Sequence, residues 1–416
     1  MIFRSFLISL DHVTSFRMEN GWIVFLLPAL GLAMGLVYDR WGRAIRAGNN
    51  LVIETIHEAS PKVPLRMAPM VLLGTLFTHL FGGSAGREGT AVQMGASLAD
   101  SIAHRLRLGL LEREGVLAAG IAGGFGAAFG TPVAGVVFGL EVLTIGRIEY
   151  HALLPALVAS VCADLTARSL GVVHAAYPVV ANVPLTGGLF AAWLLFGVVV
   201  AAVAVGFVEL SHRLRRFLEV RIPALPLRMA VGGTAVVVLW QLSGTDIYLG
   251  LGLPTIVGSF TDASIPLDAF ALKLVFTVVT LAAGFVGGEV TPLLFVGATL
   301  GAAYGRVLGL PVELTTGVGL VAVFGAAANT PLALSIMGVE LVGAGVLPHV
   351  AVVTVVAYLL TGHRGIYPAQ RIVRLKHGGP LLERLVPLRD VSPGRELTPG
   401  ADPLVPDPGQ IGRAHV

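Results

Sequence analysis

Four short polar segments interrupt a chain that is otherwise strongly apolar: GNN (Gly48 to Asn50), GREG (Gly86 to Gly89), GGEVTP (Gly287 to Pro292) and GIYPAQ (Gly365 to Gln370). Each sits in glycine-rich backbone, where a regular helix is not expected. In GGSAGREGTAVQMGASL, from Gly82 to Leu98, the residues up to Gly86 break a preceding helix and the run from Thr90 can begin another. Glu88 then falls at or just before a helix N-terminus, where backbone N–H groups lack partners and anions are favoured. A carboxylate there can occupy an anion path itself. Protonation neutralises it and loosens its hold, so that anion and proton movements become linked. The other segments offer compact donors without a full charge: the Asn49 amide, the Thr291 hydroxyl, the Tyr367 phenol and the backbone N–H groups of Val290 and Thr291 at a second helix start. Taken singly, Asn49 and Thr291 also read as helix caps and Tyr367 as an interfacial ring.

The elements that must position these groups are membrane helices. Hydrophobic residues make up 55% of the chain and charged ones 13%, against roughly a quarter charged in a soluble domain. Apolar runs at 21–37, 187–210 and 349–361 approach the ~20 residues needed to cross hydrocarbon. Aromatic residues are few and alternating ten-residue segments are absent, which disfavours a β-barrel. The expected fold is an all-α polytopic bundle. Its 53 glycines and 24 prolines cluster inside apolar segments, as interrupted and closely packed helices require. The single cysteine, Cys162, cannot form an internal disulfide. A formal charge of +3 gives no argument for nucleic acid, and the basic clusters at 40–46, 212–216 and 364–376 read as membrane-flanking charge.

The chain repeats itself. FGAAFGTPVAGVVFGLE, Phe125 to Glu141, aligns without a gap to FGAAANTPLALSIMGVE, Phe324 to Glu340, and GREGTAVQMGASLA from Gly86 has a looser partner in GGEVTPLLFVGATLG from Gly287. Glu88 thereby pairs with Glu289. Two homologous halves in a polytopic bundle point to a transporter whose site lies near the midplane where the halves meet. Repetition alone leaves open whether they are inverted. The organisation expected is an N-terminal amphipathic segment (1–20), a first repeat (21–176), a linker (177–188), a second repeat (189–377) and a loose, proline-rich soluble tail (378–416).

These motifs, in this order, resemble the CLC chloride channels and proton-coupled antiporters, and among them the bacterial fluoride/proton antiporters. GREG is similar to the family's gating-glutamate motif, with Thr90 where most chloride members carry proline. GNN stands at the serine-containing GSGIP motif, with Asn49 at the serine position. GGEVTP resembles the GxFxP motif in a form associated with the fluoride branch, and GIYPAQ supplies Tyr367 at the central tyrosine. The likeness extends over nearly all of 21–370. It implies inverted repeats with broken helices at the midplane, a homodimer with one pathway per subunit, and a role for Glu289 as an auxiliary acid beside Thr291. Chloride/proton antiporters carry a second proton glutamate at the position of Val142, so a coupled proton must travel differently here.

Fluoride is small and strongly hydrated, and the donor set Asn49, Val290, Thr291 and Tyr367 suits it. The function expected is fluoride export across a bacterial inner membrane, driven by inward-moving protons. The partners are fluoride, protons and lipid, with no cofactor and no nucleic acid. A chloride channel or chloride/proton antiporter on the same fold is the alternative, and a non-transporting receptor or scaffold is a third reading. Adjacent residues at a helix start do not face each other, so an ion pair between Glu88 and Arg87 is not expected. Glu289 could also be a simple helix cap. Glu141 and Glu340 close the repeated helices and read as structural acceptors of backbone N–H groups, Asn50 as structural or a secondary donor, and His57 and His79 as structural rather than metal ligands. No Walker, CxxC or Ser/His/Asp pattern supports ATP-driven transport or hydrolysis.

Overall fold

The computed structural model describes residues 2–58, 62–376 and 385–391. Through them run α1 (Ile2–Glu19), α2 (Leu27–Arg40), α3 (Asn49–Glu58), α4 (Met67–Leu80), α5 (Glu88–Arg105), α6 (Leu110–Phe129), α7 (Pro132–Glu141) and α8 (Leu153–Ser169). They are followed by α9 (Gly187–Arg221), α10 (Leu225–Ser243), α11 (Leu253–Gly258), α12 (Ala269–Ala283), α13 (Val290–Leu308), α14 (Val312–Ala328), α15 (Pro331–Val342) and α16 (Leu347–Leu360). The packing of α4 on α5, α5 on α6, and α6 on α7 and α8 recurs as α12 on α13, α13 on α14, and α14 on α15 and α16.

Sequence equivalence explains the local geometry. The residues ending α6 and α14 are Gly130 (φ 71°) and Asn329 (φ 59°), equivalent in the ungapped repeat. Both types tolerate the left-handed conformation that stops a helix. A threonine follows each, and then a proline opens the next helix, where its missing N–H costs nothing. Helix crossings repeat as well: Gly95 meets Gly120 in one half and Gly297 meets Gly319 in the other. A methyl group at Gly120 would lie 2.8 Å from the Gly95 carbonyl oxygen, so the helices touch through bare backbone.

The halves are inverted. Glu141, at the end of α7, accepts from the Leu332 (3.1 Å) and Ala333 (2.8 Å) amides at the start of α15. Glu340, near the end of α15, accepts from Val133 (3.0 Å) and Ala134 (2.7 Å) at the start of α7. Each helix's tail can cap the other's head only if the two run antiparallel.

Four details differ from the sequence expectations. The apolar run from Gly187 continues as one 35-residue helix to Arg221, roughly 50 Å long and therefore longer than the hydrocarbon is thick. The amphipathic N-terminal segment, whose docking place is not legible in the sequence, forms α1: it packs Phe6, Leu7 and Leu10 with Leu251, and Arg17 donates to the His79 carbonyl at 2.9 Å. A three-stranded sheet, β1 (Thr144–Ile145), β2 (Arg371–Ile372) and β3 (Val386–Pro387), interrupts the all-α scheme. Strand β3 lies in the stretch expected to be a loose tail. Residues 385–391 of that stretch pack onto the protein, because Leu388 and Val391 bury themselves with Ile145 and Ile372. The remaining tail residues, 378–384 and 392–416, lie outside the described residues.

Candidate anion site

The segment ahead of Glu88 is held by short polar contacts. The His79 ring nitrogens lie 2.8 Å from the Thr75 carbonyl and 3.0 Å from the Ala85 carbonyl, and the Ser84 N–H donates to Thr280 Oγ1 at 3.1 Å. Gly86 and Gly288 then form an isolated antiparallel bridge: the Gly86 N–H donates to Gly288 O (2.6 Å) and the Gly288 N–H to Gly86 O (2.8 Å). The glycine-rich breaks of the two repeats are joined directly, backbone to backbone. A Cβ at Gly288 would sit 2.7 Å from the Gly89 nitrogen, so this approach requires glycine.

From that bridge α5 starts at Glu88 and α13 at Val290, placing the two helix starts side by side. Glu88 is 1% exposed. Its Oε2 accepts from the Thr291 hydroxyl across the repeat boundary and from the Arg87 N–H at 3.2 Å. The Glu88 carboxylate therefore sits on a donor from the other half. Arg87 also approaches it, with Nε 3.4 Å from Glu88 Oε1, which corrects the expectation that these neighbours would not meet. Arg87 is the N-cap residue, outside the helical register, so helix-surface spacing does not govern it. Its Nε makes no hydrogen bond.

Glu289 precedes α13 as its N-cap residue, but no side-chain capping bond forms, and Oε2 is buried without a partner. A plain capping role does not describe it. Tyr367 is 3% exposed and lines a cavity together with Asn49, Gly89 and Val290; Asn49 stands next to the phenol. Three of the sequence-selected residues, Asn49, Val290 and Tyr367, thus meet at the cavity, which Gly89, the residue after Glu88, also lines. Asn49 Oδ1 is buried and unpartnered, whereas Asn50 Oδ1 accepts the Ala369 N–H at 3.1 Å and holds the tyrosine loop. Gln370 completes that hold, donating through Nε2 to the Val142 and Ala328 carbonyls, both at 2.9 Å. His57 Nε2 lies 3.0 Å from the Leu143 carbonyl.

Three features escape a reading of the sequence. Phe125 and Phe138, stacked at 4.1 Å, wall the cavity with Ile53, Ile121 and Val142. They lie in the repeated segment, but apolar side chains in a bundle read as packing. Tyr177 lies near enough to Arg87 and Glu88 to feel their charges, although it belongs to the stretch read as a linker. Lys273, fully buried, donates to the Tyr248 (3.0 Å) and Gly250 (2.7 Å) carbonyls, and the Gly250 N–H in turn donates to Gly83 O at 3.2 Å.

The family profile described as voltage gated chloride channel matches residues 30–362. A chloride/fluoride channel protein of Pseudomonas syringae pv. tomato is 47% identical over 391 residues, covering 91% of this chain and 85% of its own. Among solved structures, a CLC-type fluoride/proton antiporter aligns with a TM-score of 0.87 at 37% identity, over 89% of this chain and 94% of that one. A slow cyanobacterial chloride/proton antiporter aligns at 0.75 and 17% identity, over 86% and 90%, a likeness of fold.

Proposed function

The chain belongs to the voltage gated chloride channel (CLC) family, and we propose from that premise that it exchanges fluoride for protons. It exports the anion from a bacterial cytoplasm across the inner membrane. The relatives named for fluoride support the choice of anion over chloride alone. The observation that carries the mechanism is the Thr291 hydroxyl donated to Glu88.

Ionised, Glu88 fills the donor set at the head of α13 and excludes another anion by charge. Protonated, it gives up that hold, and the Thr291 hydroxyl and the first-turn amides of α13 become available to fluoride. The Glu88 carboxylate and fluoride thus replace one another at one place, and the proton on Glu88 decides which of them is there, which links the two movements. Asn49 and Tyr367 take the anion on the other side of Gly89. The arginine-rich turn before α3 marks that side as cytoplasmic. The apolar wall of Phe125, Phe138 and Val142 keeps water from competing for these donors. Glu289, with a free oxygen beside the same helix start, serves as the auxiliary acid. The functional unit we propose is a homodimer with a pathway in each subunit, so light scattering in detergent should give twice the chain mass of 43.2 kDa.

Reconstituted liposomes loaded with fluoride or chloride test the reading. Fluoride efflux accompanied by proton uptake, with chloride slower, is expected; chloride carried as fast or faster overturns the fluoride assignment.

A further inference from the structure

The segment 385–391 is built into the floor of the site. Through β3 it pairs with β2, Val386 against Ile372 and Pro387 against Arg371. Its next residues bond to the loop that carries Tyr367: the Leu388 N–H donates to Gln370 O at 2.7 Å, and the Arg389 N–H to Pro368 O at 3.1 Å. Leu388 is 5% exposed, so the strap is seated by apolar burial as well as by backbone bonds.

The same strap reaches the opposite wall of the site. Arg389 Nη1 pairs with Glu54 Oε1, and Arg371 Nη2 pairs with Glu58 Oε1 at 2.5 Å. Glu54 and Glu58 are four residues apart and share one face of α3, the helix that begins at Asn49. At its head α3 is tied to the same loop through Asn50 and the Ala369 N–H. Helix α3 is thus fastened at three points along its length to the loop and strap that hold Tyr367.

We propose that Arg389 and Glu54 are positioning residues: their ion pair sets the separation of Asn49 and Tyr367, and through it the anion affinity of the cavity between them. This rests on reading that cavity as the anion site. The pair joins positions 335 apart in the chain and is partly exposed, at 48% for Arg389 and 24% for Glu54. An exposed pair adds little to global stability. A small displacement of two ligating groups changes binding far more.

Charge reversal in liposomes tests this. Arg389→Glu and Glu54→Arg should each raise the half-saturating anion concentration on the order of tenfold, with the maximum rate held within about twofold. The double exchange should return half-saturation to within about twofold of the unmodified protein. Arg389→Gln carries the same expectation as Arg389→Glu and stands in if the reversal does not fold. A lowered melting temperature with unchanged half-saturation, or no recovery in the exchange, overturns the proposal. If the unmodified protein carries chloride rather than fluoride, the fluoride reading fails, and the same shifts are then read on chloride, so the two failures remain separate.

Discussion

Glu141 and Glu340 exchange places, each closing its own helix while accepting the free amides that open the other's. In lipid these helix starts have no water to satisfy them, and an unsatisfied polar group costs several kcal/mol. A carboxylate that accepts two N–H groups meets that need, and its charge suits the positive end of the helix dipole. The exchange also bolts the two repeats together at the ends of α7 and α15, close to where Val142 and Phe138 wall the cavity.

Glu141→Gln and Glu340→Gln each keep the side-chain shape but remove the charge and one of the two acceptors. Each should lower stability by about 1–3 kcal/mol, read as a lower melting temperature in detergent, with proton coupling retained by the protein that folds. Unchanged melting in both variants would remove the carboxylates from this role.

Thr291→Val replaces the hydroxyl with a methyl group of similar size. With the donor to Glu88 and to the anion gone, fluoride flux should fall about tenfold or more, in keeping with the ~1.5–3 kcal/mol of a hydrogen bond to a charged group, while Thr291→Ser should retain most of it. Flux in the valine variant equal to that of the unmodified protein would exclude the hydroxyl as a ligand.

Lys376 lies beyond α16, outside the spanning helices, and donates to Asn329 Oδ1 (2.6 Å) and the Tyr358 carbonyl (2.9 Å). Burial lowers its pKa from 10.5 to about 7. Between those values the unfolded chain binds the proton and the folded one does not, so stability rises with pH across that window. Melting temperatures measured from pH 7 to pH 10 should therefore climb more steeply in the unmodified protein than in Lys376→Met. Parallel profiles would show that Lys376 is not the group responsible.

The scaffold was largely legible because it is written twice: the ungapped match of Phe125 to Glu141 with Phe324 to Glu340 exposes the repeat without any geometry. Residue chemistry draws attention to Glu88, whereas Asn49, Thr291 and Tyr367, which taken singly also read as caps and an interfacial ring, are favoured by the family resemblance. Which helix start each acid would serve was not legible. Glu141 finds its amides 191 and 192 positions away, and only the inverted packing puts them there. The Gly86–Gly288 bridge was hidden for the same reason, and Phe125 and Phe138 could not be told from ordinary core. The strap at 385–391, LVPLRDV, is short and set in a proline-rich, charged stretch, so it reads as part of a loose tail. Burial of Leu388 and Val391 and backbone bonds to Gln370 and Pro368 seat it, contacts made only in the folded chain.

The most direct measurement is proton uptake driven by an outward fluoride gradient in liposomes containing Glu88→Gln. A glutamine cannot ionise, so it can neither displace fluoride from the Thr291 donor nor carry a proton away. The expected result is that fluoride-driven proton uptake disappears in this variant and is present in the unmodified protein. Undiminished proton uptake in Glu88→Gln would contradict the account at its centre.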